Sequence, residues 1–224
     1  MKLLLSFFCC LVLLVSHAQK STLPNGFVYV RDVIPDVVVE MRYNTHNNFV
    51  GRPIEGYKGN YAVLAEPAAK ALKKVQEELK QDGYCLKIFD AYRPQRAVNQ
   101  FISWARQPGD TLTKQEFYPE VPKNELFERG YIASRSGHSR GSTVDLGVID
   151  ANTGEALEMG SPYDFFGSIS HHDTSLISQE HRENRQYLKN IMRKHGFVAY
   201  PQEWWHYTFK PESFPQTYFD FLVE

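Results

Sequence analysis

The sequence predicts an α+β fold, a single domain with a mostly antiparallel central sheet flanked by helices. Three observations carry that expectation. The 224 residues suit one domain with a substantial core. No internal repeat, low-complexity tract or Pro/Gly-rich linker divides residues 20–224. Helix-like and strand-like segments do not alternate strictly, as a chain of parallel βαβ units would require. Hydrophobic residues make up 42% and charged residues 23%, a balance that excludes disorder. A net charge of −1 gives no electrostatic case for nucleic acid or an anionic membrane as partner. Aromatic residues reach 14%, which anticipates an aromatic-lined core or cleft.

Residues 1–18 stand apart from the domain at 19–224. Lys2 opens a mostly apolar run from Leu3 to Val15, and Ser16-His17-Ala18 places small residues where a signal peptidase would cut before Gln19. The run falls short of the roughly 20 residues a membrane span needs, so an export signal is expected, with no stable membrane anchor after its removal. The protein is therefore expected to be secreted, to the periplasm. Cys9 and Cys10 would leave with the signal. Cys85 then remains alone, with no intramolecular disulfide, and is read as a small buried hydrophobe in a strand.

Along the domain, Val28-Tyr29-Val30 and Val37-Val38-Val39 read as short strands around a turn at Ile34-Pro35-Asp36. Met41 to Phe49 reads as a loop rich in hydrogen-bonding side chains. Ala68, Leu72, Val75 and Leu79 recur at helical spacing, which predicts a helix over about 66–81 that ends at Asp82-Gly83. Leu86 and Ile88 belong to a strand running into Asp90-Ala91-Tyr92-Arg93-Pro94. A second helix follows Pro94, with Val98, Phe101, Ile102 and Ala105 inward. Residues 107–130 carry no clear pattern, and 154–178 read as loop. A third helix is expected over about 182–195, with Tyr187, Leu188, Ile191 and Met192 inward and Gly196 just past its end. Residues 197–200 and 204–209 are β-prone.

Two stretches carry the chemistry. The first runs from Ser136 to Asp145 and holds His138; the second is Glu203-Trp204-Trp205-His206. Together they offer two imidazoles, a carboxylate fit to be a third ligand, and a further carboxylate beside the last histidine. A catalytic zinc has three N/O protein ligands and one open position, and a nearby carboxylate serves as proton acceptor for an attacking water. In a flat strand Glu203 and His206, three apart, would face opposite ways. They converge only if the chain turns at Trp204-Trp205, which Pro201 upstream favours. Between His138 and Asp145, Gly141 argues for a turn that feeds a strand rather than for a helix.

The chain resembles the VanX-type D-alanyl-D-alanine dipeptidases, zinc enzymes of a wider group that includes D,D-carboxypeptidases. The family pattern S-x-H-x-x-G-x-A-x-D is met at Ser136, His138, Gly141 and Asp145, and E-W-W-H at Glu203 to His206. Arg42-Tyr43, Tyr92-Arg93-Pro94, Met159 to Asp164, and Ser170-His171-His172 also match, so the resemblance extends from Arg31 to the end. It implies one Zn2+ per chain, bound by His138, Asp145 and His206. It implies that Glu203 takes the proton of the attacking water and passes it to the leaving amine, and that Arg93 stabilises the oxyanion. Arg93 could instead pair with Asp90. Asp164 would hold the free α-ammonium of a small D-Ala-D-Ala-like dipeptide. Tyr43 and Ser136 would add hydrogen bonds at the substrate ends, or serve as a core tyrosine and a turn serine. His171 and His172 could support the site or lie at the surface.

Three positions depart from the family. Gly137 replaces a serine, Thr143 stands where the motif has alanine, and Gly147 stands where threonine is common. No ligand or base is lost, but the missing serine bears on substrate range. The expected function is zinc-dependent hydrolysis of D-Ala-D-Ala or similar small dipeptides. The rivals are a related D,D-carboxypeptidase or endopeptidase trimming peptidoglycan and a zinc-binding protein without catalysis.

Overall fold

A computed structural model describes residues 22–224, and the amino-terminal export pattern lies outside them. In chain order the elements are β1 (Phe27–Tyr29), α1 (Val30–Val33), β2 (Val38–Val39), β3 (Val63–Ala65), α2 (Glu66–Gln81), β4 (Tyr84–Asp90), α3 (Gln95–Ala105), α4 (Lys114–Phe117), β5 (Thr143–Asp150), α5 (Gln179–Lys194), β6 (Phe197–Ala199) and β7 (His206–Phe209). Five strands form the main sheet in the order β2-β4-β5-β7-β6. β2 runs parallel to β4, and the other three pairs are antiparallel. The mixed α+β class with a mostly antiparallel sheet is thus the observed one. Among the described residues no helix is long and apolar enough to cross a membrane.

α2 has the predicted bounds because its stripe of Ala68, Leu72, Val75 and Leu79 is fully buried. Each large side chain so buried contributes about 1.5–3 kcal/mol against leaving it in water. α2 packs on β4, α5 on β6, and the two helices on each other. Along β5, Val144, Leu146 and Val148 alternate with Thr143, Asp145 and Gly147, and both faces are buried. One face of the strand therefore belongs to the aliphatic core while the other is free to carry polar chemistry.

Several boundaries differ from the sequence reading. Val30 opens α1 instead of extending β1, since Ile34 N–H closes on the Val30 carbonyl at 2.8 Å. β1 pairs with β3 in a separate two-stranded sheet, so the two amino-terminal strands do not pair around the turn at Pro35-Asp36. α5 begins earlier, at Gln179, because Ser178 Oγ accepts the His181 N–H at 3.1 Å and caps it. Trp204 and Trp205 form a turn, and β7 starts only at His206. Cys85 lies on β4 but is partly exposed rather than buried.

Two irregularities place the site. The register of β4 against β5 shifts between Ile88 and Asp90, so Phe89 is the extra residue of a bulge and Asp90 faces Asp145. On the other side of β5, Asp145 lies directly opposite His206 of β7. Cross-strand neighbours of this kind bring their side chains together, so the register alone sets a carboxylate beside an imidazole.

Candidate metal centre

His138 comes to the same place from a 3-10 turn, Gly137–Arg140, that leads into β5. Ser136 Oγ accepts the His138 N–H at 3.2 Å and fixes the entry of this turn. Gly141 closes it in the left-handed region (φ 77°), and a Cβ there would run into the Phe27 ring. Only glycine meets both demands.

Three ligand atoms then converge. His138 Nε2 lies 3.2 Å from Asp145 Oδ1, His206 Nδ1 lies 3.1 Å from the same oxygen, and the two nitrogens are 3.3 Å apart. Donors about 2.0–2.1 Å from a tetrahedral zinc stand about 3.3 Å from one another, so this triangle has the size a zinc ion requires. Asp145 Oδ1 has no hydrogen-bond donor of its own, although it is fully buried. The Nδ1–H of His138 donates to the Ala91 carbonyl at 2.7 Å, which leaves Nε2 as the bare nitrogen facing the triangle. Burial also lowers the His138 pKa and favours the neutral ring a metal needs. Burial opposes ionisation of Asp145, but the two imidazoles outweigh it and hold its carboxyl well below the usual range.

All eight residues singled out from the sequence, His138, Asp145, His206, Glu203, Arg93, Asp164, Tyr43 and Ser136, line one cavity of ≈ 230 Å³. The turn at Trp204-Trp205 brings Glu203 Oε2 to 3.4 Å from His206 Nδ1. Burial, then the nearby Asp145, raises the Glu203 pKa to about 8. A divalent cation in the triangle would pull it back down.

Arg93 pairs with Asp90 and still reaches the cavity. Its Nε donates to Asp90 Oδ2 at 2.8 Å, while the guanidinium stays at the cavity wall with Nη2 3.5 Å from Asp145 Oδ2. Asp90 is completely buried and also accepts the Tyr57 hydroxyl at 2.7 Å. Asp164 is not unpaired, because Tyr43 OH donates to its Oδ2 at 2.9 Å. Its backbone is left-handed (φ 62°), a region that aspartate adopts more readily than most non-glycine residues but that still favours support from its surroundings. Burial, then Asp145, raises the Asp164 pKa well above the usual range, and a cationic group arriving beside it would favour its ionised form. Phe49, Phe101 and Phe166 supply the aromatic lining that composition anticipated.

The histidine pair resolves into two different residues. His172 is buried against the Tyr207 ring at 5.8 Å, and its N–H is held by the Pro201 carbonyl at 3.0 Å. His171 is partly buried, and neither residue lines the cavity. Residues that the sequence did not single out for the site include Tyr57, whose hydroxyl donates to Asp90, and Tyr163, whose hydroxyl donates to Asp145 Oδ2 at 3.2 Å. Only Tyr163 carried a signal, as a member of the stretch Met159 to Asp164.

Two of the positions noted in the sequence, Gly137 and Thr143, lie against each other. A Cβ on Gly137 would lie 2.8 Å from Thr143 Oγ1, and that hydroxyl is bonded to Thr208 Oγ1 at 2.9 Å. The threonine hydroxyl at 143 thus crowds any side chain placed at 137, and alanine at 143 would make room for one. Gly137→Ser alone is therefore expected to cost about 1–3 kcal/mol. Adding Thr143→Ala should recover much of the loss, a coupling read from thermal unfolding of the two single variants and the double. Strictly additive effects would exclude it.

Known proteins resemble the chain over most of its length. The peptidase M15 family model described as D-ala-D-ala dipeptidase matches residues 24–224. A D-alanyl-D-alanine dipeptidase of Enterococcus faecium is 43% identical over 89% of this chain and 98% of its own. The protein of the same description from Streptomyces coelicolor is 44% identical over the same shares. One from Escherichia coli is 30% identical over 78% of this chain and 80% of its own.

Proposed function

Since the chain belongs to the peptidase M15 D-ala-D-ala dipeptidase family and is a hydrolytic metallopeptidase, we propose that it cleaves D-Ala-D-Ala and similar small dipeptides with one Zn2+ per chain held by His138, Asp145 and His206. The observation that supports this best is the triangle of ligand atoms, 3.1–3.3 Å on a side, with Glu203 beside it. When bound, zinc supplies Lewis acidity toward the scissile carbonyl and lowers the pKa of water at its open position.

The chain's own residues do the rest. Glu203 accepts the proton of the attacking water and returns it to the leaving amine. The guanidinium of Arg93, aimed by Asp90, offers its positive charge to the oxyanion; a fixed donor of this kind stabilises the transition state without reorganising. Asp164, with Tyr43 bonded to it, receives the substrate ammonium, and Ser136 stands at the cavity wall beside His138 for the other end of the dipeptide. The phenyl rings of Phe49, Phe101 and Phe166 exclude water and suit small apolar side chains. A cavity of ≈ 230 Å³ with a carboxylate in it favours a short substrate with a free amino end over a peptidoglycan stem. The amino-terminal pattern supports export to the periplasm, where salvage or wall turnover would supply such dipeptides.

A dipeptide panel tests this reading. D-Ala-D-Ala should be hydrolysed, N-acetyl-D-Ala-D-Ala should be a poor substrate, and a chelator should abolish turnover until zinc is restored. Cleavage of a pentapeptide stem in preference to D-Ala-D-Ala would place the protein with the carboxypeptidases instead.

A further inference from the structure

Arg185 is a charged residue on the buried stripe of α5, in line with Leu188 and Met192, and only 1% of its surface is exposed. A buried guanidinium must find acceptors for its donors. No carboxylate meets it among the described residues. Its Nε donates instead to the Met159 carbonyl at 2.6 Å and its Nη1 to the His171 carbonyl at 2.8 Å. Its Nη2 donates to the Ile169 carbonyl at 2.8 Å and to Ser161 Oγ at 3.3 Å.

These acceptors lie on both sides of Asp164 in the chain. Met159 and Ser161 precede it, and Ile169 and His171 follow, so one planar group ties the two ends of the loop together. Inside that tie, Ser170 Oγ donates to the Phe165 carbonyl at 2.6 Å and lies 3.0 Å from Ser161 Oγ. The tie also reaches the turn beside Glu203. Trp204 Nε1 donates to Ser161 Oγ at 3.0 Å, and Trp204 N–H donates to the Ser170 carbonyl at 3.0 Å. The left-handed backbone of Asp164 needs such bracing, since a strained conformation persists only where its surroundings over-determine it. Lysine could not replace this group, because an ammonium lacks the planar fork that spans several carbonyls.

We propose that Arg185 is a positioning residue for substrate recognition, holding the 159–171 loop in the shape that lets Asp164 accept a free amino terminus. The proposal rests on the reading of Asp164 as the partner of the substrate ammonium. Its test compares zinc-loaded wild type, Arg185→Met, Arg185→Lys and Ser170→Ala by steady-state kinetics on D-Ala-D-Ala and by amide hydrogen exchange. Arg185→Met and Arg185→Lys should raise KM about tenfold with kcat within about threefold, because a misplaced clamp weakens binding more than chemistry. Exchange should speed up across 159–171 while α5 stays protected. Ser170→Ala should shift KM in the same direction by about threefold.

A merely structural role would lower yield and thermal stability but leave KM and loop exchange of the folded fraction at wild-type values, and that result overturns the proposal. If the Arg185 variants do not fold, an unchanged KM and loop exchange in Ser170→Ala overturns it equally. If wild type itself fails to cleave D-Ala-D-Ala, the substrate reading falls. The exchange data then still decide whether Arg185 holds the loop.

Discussion

Glu203→Gln is expected to lower kcat on D-Ala-D-Ala by about a thousandfold or more, within the range a positioned general base contributes. The substitution keeps the size of the side chain and removes only its capacity to take a proton. Glu203 is nearly buried, at 9% exposed, and faces Asp145 and His206, so an amide there also relieves a crowded set of carboxylates. Thermal stability should therefore hold or rise, and zinc content should stay at that of the wild type. Metal analysis beside single-turnover kinetics separates the two effects. Near-normal turnover with full zinc would remove Glu203 from the mechanism.

Asp145→Asn should abolish turnover by a different route, through loss of the metal. Asp145 Oδ1 is the corner shared by both imidazoles, while Oδ2 accepts from Tyr163 and faces Arg93. An amide keeps one acceptor atom but loses the charge that both the cation and Arg93 require. Zinc affinity should fall by more than about a hundredfold, the upper end of what even an outer-shell partner is worth. In wild type, zinc at a thousandfold excess over its Kd should stabilise the fold by about 4 kcal/mol through mass action. The variant should lose that zinc-dependent rise in Tm. A full zinc-dependent rise in Asp145→Asn would show that the metal sits elsewhere.

How much of this was legible in the sequence depends on how local each signal is. α2 was readable to the residue because its apolar stripe and its stop at Asp82-Gly83 lie within the helix itself. The turn at Trp204-Trp205 was readable from a chemical demand, since Glu203 and His206 cannot share a face of a flat strand. α5 was misjudged at its start because Ser178 acts as a cap only through a backbone geometry that spacing does not display. The bulge at Phe89 has no local mark at all, because it is a mismatch between β4 and β5 that exists only once they pair. Arg185 did leave a mark, a charge on an apolar helical stripe, but the carbonyls that satisfy it come from a loop whose path spacing does not display.

By itself the sequence determined the α+β class, the residue types of the site and their order along the chain, for these follow from periodicity, turn chemistry and the coordination needs of a metal. Only the tertiary structure decided how they meet. Strand register set Asp145 against His206, and a capped 3-10 turn added His138 to close a triangle of zinc size. It also decided that Arg93 is aimed by a buried Asp90, that Thr143 and Gly137 are a matched pair, and that Asp164 is held by a loop anchored on Arg185. The physical reason is the same in each case. Pairing register, steric fit and the satisfaction of buried polar groups are relations that exist only once the backbone has folded, and residue spacing does not display them.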